Sequence, residues 1–204
     1  MYSGITQGIF LVSAVDKQPG IIHYEVLLNS VLIEGLKIGA SINVDGVCQT
    51  VTQIEGSTVC FSAMAETCRL TSLKDLFAGR KVSIERSLRY GDEIGGHEVA
   101  GHVTGVATIS KILPTENNLT ITLQCPNEWM KFILYKGFIA VDGSSLTIGE
   151  TDPQGFFNIH LIPETLRITN LGNKQVGDLV NIELDRTTQT IVATVERIVS
   201  HPVG

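Results

Sequence analysis

Asp45-Gly46-Val47-Cys48-Gln49-Thr50-Val51 is the stretch that decides the fold, because the chain writes it twice. Asp142-Gly143-Ser144-Ser145-Leu146-Thr147-Ile148 repeats its pattern at an offset of 97 (142 − 45). Working outward, Ser3-Gly4-Ile5-Thr6-Gln7-Gly8 and Ala100-Gly101-His102-Val103-Thr104-Gly105 align at the same offset. Glu66 to Leu73 aligns with Glu164 to Leu171, and Gly79 to Glu85 with Gly177 to Glu183, now at an offset of 98. One residue has therefore been inserted between the second Asp-Gly segment and Glu164. Matches in one order at a nearly constant offset identify an internal duplication, and a repeat governs the reading of everything else.

Each half reads as β. Ile22 to Leu28 and Thr120 to Cys125 alternate apolar and polar residues, as a strand with one buried face does. Ser41-Ile42-Asn43-Val44 runs into Asp45-Gly46, a dipeptide that favours tight hairpins, and Asp142-Gly143 repeats the device. Twenty glycines punctuate short runs, which suits small closed barrels with tight corners. Helix is scarce. Asn127 to Leu134 predicts one or two turns with Asn127 as N-cap, and Glu66 to Leu73 a short turn. Gln189 to Val199 predicts an amphipathic helix with Ile191, Val195, Ile198 and Val199 on one face. That face either covers its own barrel or meets another chain.

The whole chain narrows the classes. It has 204 residues, 43% apolar and 18% charged, which argues for a folded core and against disorder. A net charge of −6 argues against a nucleic-acid footprint. No run approaches the ~20 apolar residues of a membrane span, and the start has no signal-peptide pattern. Cys48, Cys60, Cys68 and Cys125 show no C-x-x-C spacing and read as free thiols of a cytoplasmic protein. The sequon at Asn118 is then a chance match.

Familiar motifs fail on spacing. His97-Glu98-Val99-Ala100-Gly101-His102 places its histidines five apart among glycines, so it is no helical zinc motif and no metal site is expected. Gly91-Asp92-Glu93-Ile94-Gly95-Gly96 lacks the Gly-Lys-Ser/Thr ending of a phosphate loop. Gly143-Ser144-Ser145-Leu146 lacks the second glycine of a nucleophile elbow. The informative positions are those where the halves diverge: Ile5 against His102, Ser41 against Phe138, Cys48 against Ser145, Met64 against Ile162. A histidine where the sister half has isoleucine points to chemistry. His23 and His201 carry no functional reading.

The start Met1-Tyr2-Ser3-Gly4-Ile5, with Cys48-Gln49-Thr50-Val51-Thr52, Glu66-Thr67, Asp92 to His97, Gly101-His102, Tyr135-Lys136-Gly137-Phe138, Asp142 to Thr147 and Leu161 to Leu166, resembles the motifs of riboflavin synthases over essentially the whole chain. One departure is Tyr2, where the family usually has phenylalanine. The resemblance implies an all-β chain: two homologous six-stranded Greek-key barrels, residues 1–97 and 98–187, and a C-terminal helix and tail, 188–204. It implies a homotrimer in which the first barrel of one subunit faces the second barrel of the next. It also implies a dismutation without added cofactor. Two molecules of 6,7-dimethyl-8-ribityllumazine give riboflavin and 5-amino-6-ribitylamino-uracil by transfer of a four-carbon unit.

On that basis His102, Cys48, Ser41 and His97 are the expected catalytic residues: histidines for the proton steps, Cys48 or Ser41 to add to or activate the acceptor ring. The expected substrate contacts fall in matched runs. They are Gly4-Ile5-Thr6 and Gly101-His102-Val103, Cys48-Gln49-Thr50 and Ser145-Leu146-Thr147, and Ser62-Ala63-Met64-Ala65-Glu66-Thr67 and His160-Leu161-Ile162-Pro163-Glu164-Thr165, with Lys136 for ribityl hydroxyls or a developing negative charge. Threonine and glutamate side chains supply hydrogen bonds and apolar side chains pack the ring faces. The alternative is a lumazine-binding antenna protein of the same fold without turnover. A flavin barrel of the reductase type would need an adjoining nucleotide domain, for which the chain has no room.

Overall fold

A computed structural model describes residues 1–200. His201 and the rest of the tail lie outside the described residues. The first half carries strands β1 (Gly8–Gln18), β2 (Ile21–Leu27), β3 (Ser41–Val44), β4 (Val47–Glu55), β5 (Thr58–Met64) and β6 (Lys81–Arg86). The second carries β7 (Gly105–Pro114), β8 (Leu119–Gln124), β9 (Phe138–Val141), β10 (Ser144–Asp152), β11 (Phe156–Leu161) and β12 (Leu179–Leu184). Each set closes into an antiparallel barrel. The order is β1-β2-β5-β4-β3-β6 in the first and the equivalent β7-β8-β11-β10-β9-β12 in the second. The jump from β2 to β5 and the return of β3 beside β6 are the Greek-key connection, and closure leaves no open edge.

The turns follow from the residues the sequence reading singled out. Asp45 and Gly46 have φ of 47° and 86°, Asp142 and Gly143 of 44° and 83°. Two successive positive φ values are what a two-residue hairpin needs to match strand twist. The inserted residue is in the next hairpin: Gly56-Ser57 links β4 to β5, whereas Pro153-Gln154-Gly155 links β10 to β11. Matching bulges interrupt β1 between Val12 and Ala14 and β7 between Ile109 and Lys111, so even the irregularities were copied.

Each barrel has its own core. Tyr24 and Phe61 stack inside the first, 5.3 Å apart. Ile121, Leu123, Phe157 and Ile182 fill the second. A polar seam joins the two. Asp45, fully buried, accepts from the Ser83 amide (2.7 Å) and Asn170 Nδ2 (2.6 Å) and pairs with Arg80 (3.1 Å), while Asp142 pairs with Lys174 (3.2 Å). Asn181 donates to the Asp45 carbonyl and accepts from the Ser72 amide. These buried polar groups are tied across the two halves, which fixes how the barrels sit.

Helices are short except the last. α1 (Ser30–Ile33) is capped by Asn29, α2 (Ala65–Leu70) follows β5, and α3 (Pro163–Ile168) follows β11. Asn127–Phe132 is a 3-10 turn whose cap position is Pro126, so Asn127 is inside the turn and not its cap. α4 (Arg186–Ser200) is amphipathic, and none of its residues is buried. Ile191, Val195, Ile198 and Val199 are more than half exposed, and a Lys131–Glu196 ion pair ties the helix to the second barrel. Its apolar face does not cover its own barrel. No helix among the described residues is long and apolar enough to cross a membrane.

Candidate functional site

Alternation along β4 sorts its side chains. Gln49 and Val51 point into the barrel, where Gln49 accepts a hydrogen bond from Tyr24 (3.2 Å). Cys48 and Thr50 point outward, with Ser41 of β3 opposite Thr50. The second barrel repeats this: Leu146 points inward, Ser145 and Thr147 outward, and Phe138 is opposite Thr147. Gln49 and Leu146 therefore offer a ligand only main-chain groups. Where β5 and β11 leave the barrels, Met64 and Ile162 stand exposed at equivalent positions. Glu66 and Glu164 follow, each held by an arginine one turn on, Arg69 and Arg167, at 2.6 and 2.8 Å. These hydrogen bonds hold both carboxyls below their usual range. Ser62 bonds His23 (2.9 Å) and His160 bonds Thr120 (3.0 Å). That cross-strand pair has its partners exchanged between the halves, and it gives His23 a counterpart that the sequence reading missed.

The segment preceding each barrel crosses to the other one. The Cys48 amide donates to the Gly101 carbonyl (2.9 Å), and the Ser145 amide to the Gly4 carbonyl (2.8 Å). The approach is too close for a side chain. A Cβ on Gly101 would lie 2.7 Å from the Cys48 Cβ, and one on Gly4 2.6 Å from the Ser145 Cβ, with φ of 78° and 74°. Val103 packs onto the first barrel's core, and Thr6 bonds Ser144 (2.9 Å). Two glutamates anchor these crossings. Glu85 of β6 accepts from the Ser3 amide and hydroxyl (both 2.8 Å). Glu183 of β12 accepts from the amides of Ala100, Gly101 and His102 at 2.7, 2.8 and 3.0 Å. Burial pushes both carboxyls up, and these donors oppose it. Their signal in the sequence was their shared place in the repeat. Cys48, Thr50, Ser41 and the main chain at Gly101 thus gather at one face, and Ser145, Thr147, Phe138 and the main chain at Gly4 at the other, while Val103 and Thr6 turn into buried contacts and His102 lines a cleft that holds none of Cys48, Thr50 and Ser41.

The two faces are not chemically equal. His97, buried at 8% exposure, sets Nδ1 2.6 Å from Ser145 Oγ and stacks on Phe138 at 5.1 Å. Burial lowers its pKa, with Asp185 opposing, so its imidazole is neutral near neutral pH and is a proton acceptor. Lys136 has φ of 64° where the first barrel has Gly39 at 86°. A strained backbone here carries an exposed lysine, its Nζ 5.2 Å from the Tyr135 ring centre, where the first barrel has no side chain. The first face has Ser41 in place of Phe138, and its Cys48 takes a hydrogen bond from Tyr2 (3.2 Å). The exposed His102 lines a cleft of about 400 Å³ with Arg186 and Gln189 of α4, and Ile5 lines one of about 720 Å³ with Glu85 and Arg89. Among the described residues no group of three or more His, Cys, Asp or Glu is placed to hold a metal.

The lumazine binding domain family matches residues 3–87 and again 100–185. Riboflavin synthase of Escherichia coli K12 is 46% identical over 201 residues, covering 98% of this chain and 94% of its own. That of Chlamydia muridarum is 38% identical over 204 residues, covering all of both. Solved structures of LumP in complex with riboflavin and with 6,7-dimethyl-8-(1'-D-ribityl) lumazine align at TM-scores of 0.85 and 0.83, each 26% identical, covering 91% of this chain and 100% of LumP. A doubled barrel, two composite faces and full-length relatives agree: the chain belongs to the riboflavin synthase family, with one lumazine binding domain in each half.

Proposed function

We propose that each barrel holds one 6,7-dimethyl-8-ribityllumazine and that a four-carbon unit passes between them, giving riboflavin and 5-amino-6-ribitylamino-uracil. The observation that carries this is the pairing of two faces equal in backbone and unequal in chemistry: Cys48 with Gly101, Ser145 with Gly4. A dismutation of identical molecules needs that combination. What one ring loses the other gains, so no oxidant or reductant is called for.

The geometry supports the following roles. The exposed Thr50 and Thr147, the main chain at Ser62–Ala65 and His160–Pro163, and Thr67 and Thr165 recognise what the two substrates share. Glu66 and Glu164 hydrogen-bond polar groups of the substrate from carboxylates their arginines already hold in place. Lys136 serves the second face alone. The lumazine 7-methyl group loses a proton first, and its ring spreads the charge. His97, neutral and bonded to Ser145, accepts that proton. Cys48, with Ser41 farther along the same face opposite Thr50, acts on the other ring, and His102 serves a later proton step. Holding the rings together is worth about 7–11 kcal/mol of barrier. We assign the chain residues 1–97, 98–187 and 188–204 as two domains and a tail.

We also propose a homotrimer, with the first barrel of one subunit facing the second barrel of the next. The uncovered apolar face of α4 and the open ligand faces support it. Four free thiols support a cytoplasmic place. Mixing purified protein with dimethyl-ribityllumazine tests the activity. Riboflavin fluorescence should rise, with one pyrimidine formed and two lumazines consumed per riboflavin. A chromophore bound but not consumed would establish the antenna reading instead.

A further inference from the structure

Cys48 and Ser145 occupy equivalent positions and both point outward, yet different groups hold them. Ser145 faces the imidazole of His97, whereas Cys48 Sγ receives the phenol of Tyr2 at 3.2 Å. Tyr2 is completely buried, packed against Val99, Ala140 and Cys48. Two main-chain hydrogen bonds to Val99, 2.7 and 3.0 Å, pin it. Cys48 is the one hydrogen-bond partner of its hydroxyl among the described residues. The repeat counterpart of Tyr2 is Val99 (99 − 2 = 97), so nothing equivalent is sent toward Ser145. Tyr2 thus has no route to the substrate except through Cys48.

We propose that Tyr2 is a positioning residue of the first barrel: its fixed hydroxyl aims the Cys48 thiol and favours its thiolate. A thiolate accepts a hydrogen bond far better than a thiol does, so a donor that cannot turn away selects the anion. Burial keeps the phenol protonated over the whole working range, so it donates and does not act as a base. The charged groups nearest Tyr2, Glu85 and Glu183, are occupied by main-chain amides of the two crossing segments. The other cysteines lack such a donor, and burial pushes the thiols of Cys60 and Cys68 up and that of Cys125 up to about 11. Among the described residues, Cys48 alone of the four carries a phenol donor on its sulfur. The proposal rests on the reading that Cys48 belongs to the lumazine site.

Tyr2→Phe keeps the ring and deletes the donor. Alkylation of Cys48 by iodoacetamide, followed by peptide mass spectrometry from neutral to alkaline pH, reads the thiol directly. The midpoint should rise by about one pH unit in the variant. Because a more basic thiolate is also a stronger nucleophile, the rate below the midpoint should fall only about threefold. Turnover should fall with KM unchanged, and a thermal melt shows whether the variant is folded. An unmoved midpoint in folded Tyr2→Phe overturns the proposal. The site reading is tested separately in the unsubstituted chain. If dimethyl-ribityllumazine gives Cys48 no protection from iodoacetamide, Cys48 is outside the site, whatever the midpoint does.

Discussion

The first barrel receives the linker between the halves through Gly101, and the second receives the N-terminus through Gly4. In both, a carbonyl meets an amide of the strand after the Asp-Gly turn, at 2.9 and 2.8 Å. Backbone and anchoring glutamate are kept. What differs is the handful of groups laid over that frame: Tyr2 and Ser41 on one side, His97, Phe138 and Lys136 on the other. Duplication preserved the main-chain contacts that tie each crossing segment to the opposite barrel and released the side chains around them.

The largest break in the comparison should come from His97→Gln. Loss of the proton acceptor should lower turnover by about 10²–10⁴-fold. A loss of activity toward acid pH, expected in the unsubstituted chain as the neutral imidazole takes a proton, should vanish with it. Steady-state rates across pH check both. Next, Gly4→Ala and Gly101→Ala should each cost roughly 1–3 kcal/mol in a urea titration, since a Cβ at positive φ would press on the opposite barrel. Similar losses support equal crossings, while a loss in only one would show that the two are not equivalent.

The seam offers a further test. Burial first, then the neighbouring Asp142, push the Asp45 carboxyl up to about 7, against Arg80 and Lys174. A carboxyl raised in the folded state contributes its stability at acid pH, below the ordinary carboxylate value near 3.8, and loses it as pH rises through about 7. Asp45→Asn should therefore flatten the decline in Tm between those values. The smallest effect is expected at Lys136. Lys136→Gly should relieve backbone strain and raise stability by about 1 kcal/mol, while weakening lumazine binding at the second face only.

Much of this was legible in the sequence. The doubled Asp-Gly strand fixed barrel number and register, because a two-residue turn with positive φ leaves the flanking strands one way to pair. The unequal positions Cys48/Ser145 and Ser41/Phe138 could be read as soon as the offset was known. The crossing of Gly4 and Gly101 to opposite barrels could not. Those contacts run from main chain to main chain, and any sequence with glycine there could make them. His97 stacking on Phe138 joins residues 41 positions apart in different elements, which no local pattern encodes. Glu85 and Glu183 were half legible: their shared place in the repeat marks them, but both sit in strands whose alternation looks ordinary, and the donors gathered around them reveal the anchor.

Titration of the chain with a non-reactive ribityl-lumazine, by calorimetry, tests the central claim most directly. Two ligands should bind per chain with two affinities, and His97→Gln should change one of them and leave the other in place. A single ligand per chain, or two sites that respond alike to His97→Gln, would contradict it.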